Sequence, residues 1–148
     1  MGGERGRAGQ HLLRYAAGVI LMALAGCASF GTMMGGGDSY THLRRIEPLI
    51  VEHDFDGALR EGQEVLALSP TSPPADEALF DMALVHAHYA NPKKDYRKSI
   101  GLFSRVVKEF PASPRVEEAR IWIGVLEAIE KAKRVDAEIE ELKKGLVK

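Results

Sequence analysis

Cysteine is almost absent from this 148-residue chain, and Cys27 is its only example. A lone cysteine excludes an intramolecular disulfide, so side-chain packing must hold the fold together even in an oxidising compartment. A large excess of charge of either sign is also lacking, since the formal net charge is −1. The sequence therefore offers no strongly basic surface of the kind that nucleic acids bind.

A hydrophobic run long enough to cross a membrane is missing as well. The apolar run from Tyr15 to Ala25 has about 11 residues, roughly half of what a membrane-spanning helix needs. Arg5, Arg7 and Arg14 precede or border this run, and small residues follow it before Cys27. Positive charge, a short apolar run and small residues, in that order, are typical of a secretory signal that is removed. We therefore expect residues 1–26 to be a signal peptide.

The cleavage motif Leu24, Ala25, Gly26 and Cys27 resembles the bacterial lipobox. The resemblance implies that a diacylglycerol is attached to the Cys27 sulfur, that the chain is cut before Cys27, and that the new amine is acylated. An ordinary secretory signal, or a buried N-terminal helix with a chance cysteine, is the alternative. Because two or more acyl chains hold a protein stably on a bilayer, Cys27 is expected to be a lipid anchor. Apart from this covalent lipid we expect no cofactor.

The residue after Cys27 is Ala28, where an aspartate would favour retention at the inner membrane in the enterobacterial sorting scheme. Resemblance to that scheme therefore implies the periplasmic face of the outer membrane, with the inner membrane as the alternative. Residues 27–38 are rich in glycine and have no apolar period, which predicts a flexible tether behind the lipid. The remaining residues suffice for one domain with a modest core.

The body of the chain repeats with an offset of 41 residues. Pro70-Thr-Ser-Pro73 aligns with Pro111-Ala-Ser-Pro114, and the match extends over about a dozen positions without a gap. Each copy predicts two helices, because apolar residues recur at steps of three and four between prolines. The expected helices are 39–53, with Pro48 as a kink or as the true start, then 55–68, 76–90 and 96–110, the last capped by Asp95.

Neither helix of such a pair buries its apolar face alone, so successive pairs must stack. Small residues at Ala83 and Gly124 should let neighbouring helices approach closely. Together with Ser99 and the closing Pro111, they resemble the tetratricopeptide repeat family. The Pro-x-Ser-Pro element is similar to its bacterial envelope branch, which includes the lipoprotein subunit of the β-barrel assembly machine and the coordinator of the Tol-Pal system. The predicted fold is all-α, a short tetratricopeptide-like solenoid of about two and a half helix pairs over 39–130.

The chain after Pro114 has no proline, so one helix is predicted to run for about 30 residues. Its apolar residues recur at alternating steps of four and three, which is a heptad pattern. In the extension 131–148 the apolar face of this helix becomes narrower, and it includes Val135, Ile139 and Leu142. This extension either folds back to cap the solenoid or pairs with another helix, including that of a second copy, as a coiled coil.

Partner-binding positions are expected on the first helix of each pair, which lines the concave face of a tetratricopeptide stack. By that resemblance the candidates are Glu77, Phe80, Leu84, His88, Glu118, Ile121 and Val125. The alternative for Phe80 and Leu84 is that they belong to the core. His86 and His88 are two apart on a helix and point to different faces, so we expect no metal site from them.

No motif for a nucleophile, a phosphate loop or a metal site is present in the sequence. We therefore expect a lipid-anchored periplasmic scaffold that binds a protein or peptide in outer-membrane assembly or envelope maintenance, and that has no catalytic activity. One alternative is a structural lipoprotein that oligomerises through its C-terminal coiled coil. The other is an envelope enzyme acting near peptidoglycan, which would need a deep cleft with a shifted carboxylate.

Overall fold

The computed structural model describes residues 31–146, and side chains are described from Gly37 onward. The signal motif 24–27 and the lipid site Cys27 lie outside the described residues. The described part is all-helical, as predicted, and contains five helices and no strand. The helices are α1 Gly31–Val51, α2 Phe55–Leu68, α3 Ala75–Ala87, α4 Tyr96–Glu109 and α5 Val116–Leu146.

Two helices confirm the sequence prediction closely. Helix α2 has the predicted bounds, and the Asp54 carboxylate caps it by accepting a hydrogen bond from the backbone N–H of Gly57. Helix α4 begins after Asp95, whose carboxylate accepts bonds from the N–H groups of Arg97 and Lys98. These bonds satisfy N–H groups that have no partner within the first turn of a helix, and so fix where it starts.

Helix α1 departs from the prediction at its N-terminal end. It begins at Gly31 and runs through Pro48 to Val51, so the flexible tether predicted for 27–38 is wrong from Gly31 onward. Pro48 is also not the start of this helix. Glycine weakens a helix by roughly 1 kcal/mol per residue but does not block it as proline does, so a glycine-rich segment is compatible with helix. By their contacts, the residues from Asp38 onward form one compact unit, which includes the part of α1 that follows Gly37.

Helix α3 lies at the centre of this unit and buries two faces. One face, with Ala78 and Val85, packs against Ile46 of α1 and against buried residues of α2. The other, with Phe80 and Ala83, packs against α4 and α5. Consecutive helices are in contact from α2 to α5. A helix that is covered on both sides by its sequence neighbours needs apolar residues around most of its circumference.

The 41-residue repeat is visible in the burial pattern. Ala78 and Val85 of α3 face the preceding helix pair, and their equivalents Ala119 and Leu126 of α5 also face the preceding pair. In the second helices, Ala58 and Ser99 are equivalent and both are fully buried. These equivalent positions therefore pack alike in the two copies.

Gly124 corrects one expectation. We predicted that it allows a close helix contact, as Ala83 does, but it is exposed and nothing lies within 4 Å of a Cβ built on it. The reason is that α4 covers Ala83, whereas no helix within residues 31–146 covers Gly124. Helix α5 itself confirms the predicted long C-terminal helix, and every residue from Lys131 to Leu146 is exposed. In this structure the extension does not fold back as a cap.

Candidate functional site

The seven candidate partner-binding residues fall into separate environments. Phe80 is 1% exposed and packs edge to face against Phe103, with ring centroids 5.1 Å apart. Leu84 is half-buried and packs against the same core. The alternative that both belong to the core is therefore confirmed for Phe80 and holds in part for Leu84.

Ile121 and Val125 lie on α5 and are 66% and 46% exposed. His88 follows the end of α3 and sits among aromatic rings, 5.0 Å from Phe55 and 4.8 Å from Tyr89 between centroids. Since the contacts of His88 are with the α1–α2 turn and those of Glu118 are with Arg115, the structure does not bring all seven residues onto one site.

Glu77 and Glu118 are brought together by Arg115. The Arg115 guanidinium lies 3.5 Å from a carboxylate oxygen of Glu77 on α3 and 3.2 Å from one of Glu118 on α5. The same guanidinium stacks 4.9 Å above the centre of the Phe80 ring. Arg115 thus covers the edge of the core with a cation that joins two helices, an arrangement that favours arginine because its flat group stacks and forms paired hydrogen bonds.

The turn before α5 is fixed by a second polar contact. Ser113 donates a hydrogen bond to the carboxylate of Asp76 in the first turn of α3, and its hydroxyl oxygen accepts one from the backbone N–H of Arg115. Ser113 belongs to the second Pro-x-Ser-Pro element, and Asp76 lies three residues after the end of the first one. The position of Arg115 over Phe80 therefore depends on the second Pro-x-Ser-Pro turn.

Asp81 is the residue of this region that sequence reasoning missed. Burial is the main cause that raises its pKa to about 6; the Arg115 guanidinium opposes this shift, and the carboxylates of Glu77, Glu47 and Glu118 add to it. The first helices α1, α3 and α5 each contribute a carboxylate to this set. We call Glu47, Glu77, Asp81 and Glu118 the acidic cluster.

Asp81 could have been recognised from its spacing. It lies four residues after Glu77 and three before Leu84, so these side chains share one face of α3. The candidate list contained both neighbours. Its buried setting, however, comes from tertiary packing and leaves no signal in the local sequence.

Two surface recesses of the described residues lie elsewhere. One is formed at the α1–α2 turn and the loop after α3, and includes Phe55 and Lys93. The other lies between α4 and α5 and includes Arg97 and Glu130, whose side chains form a 3.3 Å ion pair. Asp81 lines neither recess, so the shifted carboxylate that an enzyme would need is not joined to either of them.

Within residues 31–146, no three His, Cys, Asp or Glu side chains are grouped as ligands for a metal ion. None of the helices in that range has the combined length and apolar character of a membrane span. Comparison of the chain with protein-family models, curated proteins and solved structures gives no match.

Proposed function

We propose that this chain is a membrane-anchored periplasmic lipoprotein whose helical domain is a tetratricopeptide-like scaffold for a protein or peptide partner. The domain would have no catalytic activity of its own and would act in outer-membrane assembly or envelope maintenance. The lipobox-like residues 24–27 support the anchor, and the acidic cluster supports the partner surface.

The stacking of α2, α3, α4 and α5 in chain order supports a solenoid. In such an array each helix pair contacts only its neighbours, and equivalent positions of successive repeats are buried alike. The matching burial of Ala78 with Ala119, and of Val85 with Leu126, has this property. Helices α1 and α2, α3 and α4, and then α5 would make the two and a half pairs.

The observation that carries the partner surface is the convergence of carboxylates from α1, α3 and α5 around Asp81. Among the described side chains whose charges shift the pKa of Asp81, Arg115 is the only cation. A surface with this excess of negative charge attracts and orients a partner segment that presents lysine or arginine. Leu84, half-buried on the same face of α3, would contribute apolar contact.

Crosslinking in living cells tests this proposal. A photoreactive amino acid at Leu84 should capture a discrete envelope protein, and Asp81→Asn combined with Glu118→Gln should reduce that capture several-fold. The matched control is the same amino acid at Glu64, which is exposed on α2. Equal capture at both positions, or no capture at either, would contradict the proposed surface.

A further inference from the structure

One face of α5 has the residues of a helix-packing surface but is left uncovered. Ile121, Gly124, Val125 and Ala128 follow Phe80, Ala83, Leu84 and Ala87 by 41 residues, and that earlier set forms the core face against which α4 packs. All four residues of α5 are exposed. Because no sixth helix follows within the described residues, no part of residues 31–146 covers this face.

The uncovered face continues along the whole of α5. Eight residues spaced alternately by four and three form a seam, defined here as Ile121, Val125, Ala128, Ala132, Val135, Ile139, Leu142 and Leu146. All eight are exposed, Leu142 to 69%. The seam spans the 26 residues 121–146, a rise of about 38 Å at 1.5 Å per residue step. Residues repeating at this spacing meet a partner helix along a coiled coil.

We propose that the occupant of this seam is α5 of a second copy of the chain, lying parallel and in register. The positions that flank a coiled-coil seam decide partner and orientation through their charges. In a parallel pair, the flanking residue that directly precedes Ala132 or Ile139 meets the one five positions later on the other helix. Lys131 then faces Asp136 of the second copy, and Glu138 faces Lys143 of the second copy. Both contacts join opposite charges, and the twofold axis repeats each of them.

The reversed orientation brings different seam residues together. In the antiparallel pair that covers the same 121–146 segment, Leu142 lies level with Val125 of the other chain, and Lys131 lies level with Asp136 of the other chain. In the parallel pair each seam residue instead meets its own copy, so that Leu142 meets Leu142. Which seam positions meet therefore distinguishes the two orientations.

Three of the four flanking charges form no ion pair within the described residues, whereas Lys143 lies 2.9 Å from the carboxylate of Glu140 on the same helix. Ion pairs along α5 join Glu130 to Lys133, and Glu141 to Lys144, on the sides of the helix away from the seam. Among the ion pairs within residues 31–146, Lys131, Asp136 and Glu138 take no part. This inference does not depend on the proposed partner surface.

Disulfide trapping of the full chain tests the pairing. With Cys27→Ser as background and the protein purified in detergent, Leu142→Cys should form a covalent dimer under mild oxidation, because the two copies of this position meet in a parallel pair. Ala137→Cys is the matched control, since it is exposed on the opposite side of the same helix. Equal yields from both variants, or no dimer from Leu142→Cys, overturn the proposal. Dimer that forms only between Leu142→Cys and Val125→Cys chains also overturns it, because those positions meet in the antiparallel pair.

Charge exchange is the second test and does not depend on an introduced cysteine. Lys131→Glu should raise the dimer dissociation constant about tenfold, since two attractive contacts become repulsive. Lys131→Glu with Asp136→Lys should restore dimerisation, because the exchanged charges again face opposite partners. Sedimentation of the full chain in the Cys27→Ser background measures both. A monomer at every concentration, or a double variant as weak as the single one, contradicts parallel self-pairing.

Discussion

The Ser99 hydroxyl donates a 2.7 Å hydrogen bond to the backbone carbonyl oxygen of Ala83, and both residues are fully buried. The bond joins α4 to α3 directly through the Ala83 backbone, which is accessible to Ser99 because both residues are small. A larger side chain at either one would separate the helices and break the bond. Ala83 and Ser99 are two of the small residues that the sequence pattern singled out, and the structure places them in direct contact.

Substitutions at Ala83 and Gly124 should therefore have opposite effects. Ala83→Leu should lower the free energy of unfolding by about 1 to 3 kcal/mol, because the interface has no room for the added atoms. Gly124→Ala should raise it by about 0.5 to 1 kcal/mol, since the site is open and alanine favours helix over glycine. Urea unfolding of the chain from Ser29, at one fixed concentration, measures both. A silent Ala83→Leu would contradict the close α3–α4 contact.

Glycine substitutions in α2 and α4 make a second matched pair. A Cβ at Gly57 would overlap the Asp54 carboxylate that caps α2, whereas nothing lies within 4 Å of a Cβ at Gly101. Gly57→Ala should cost about 1 kcal/mol of unfolding free energy through loss of the cap. Gly101→Ala should stabilise by about 0.5 to 1 kcal/mol. Equal thermal shifts for the two variants would mean that Asp54 does not cap the helix in solution.

The acidic cluster predicts a specific dependence of stability on pH. The pKa of Asp81 is about 6 in the folded chain and near 3.8 when unfolded, so between these values the folded state binds more protons. Its ionisation therefore weakens the fold as pH rises from about 4 to 7. Asp81→Asn should raise the free energy of unfolding by about 1 to 2 kcal/mol at pH 7.5, and by much less at pH 4. The range allows for the partial exposure of Asp81 to solvent, which weakens the effect of its charge.

Asp56 provides a control of opposite sign. A hydrogen bond from Lys93 lowers the pKa of this exposed carboxyl, so its contribution is present at neutral pH and is lost in acid. Asp56→Asn should therefore weaken the fold slightly at pH 7, and the effect should diminish as the pH falls below 3.8. Chemical unfolding across this pH range distinguishes the two carboxyls. A pH-independent effect of Asp81→Asn would show that its carboxyl is not shifted.

The sequence alone was sufficient to predict those helix bounds that depend on residues close together in the chain. The bounds of α2 and the start of α4 follow from apolar spacing and the capping aspartates Asp54 and Asp95. It was insufficient where packing decides the outcome. Gly124 has the residue type of a contact position, yet whether it is covered depends on a helix that the described chain does not supply.

The same limit explains the candidate site. Phe80 and Ile121 are equivalent in sequence and were predicted to share a surface, but one is buried under Arg115 and the other lies open on α5. Asp81 was missed because its raised pKa arises from burial and from charges on three helices. Local spacing fixes which side chains share a helix face, whereas only tertiary packing fixes which faces meet.

The central claim, that the helical domain works from a membrane anchor at Cys27, is tested most directly by metabolic labelling with palmitate followed by membrane fractionation. We expect the wild-type chain to incorporate label and to fractionate with the outer membrane, and Cys27→Ser to incorporate none and to remain as a longer precursor. Equal incorporation by the two chains, or none by either, would contradict the account.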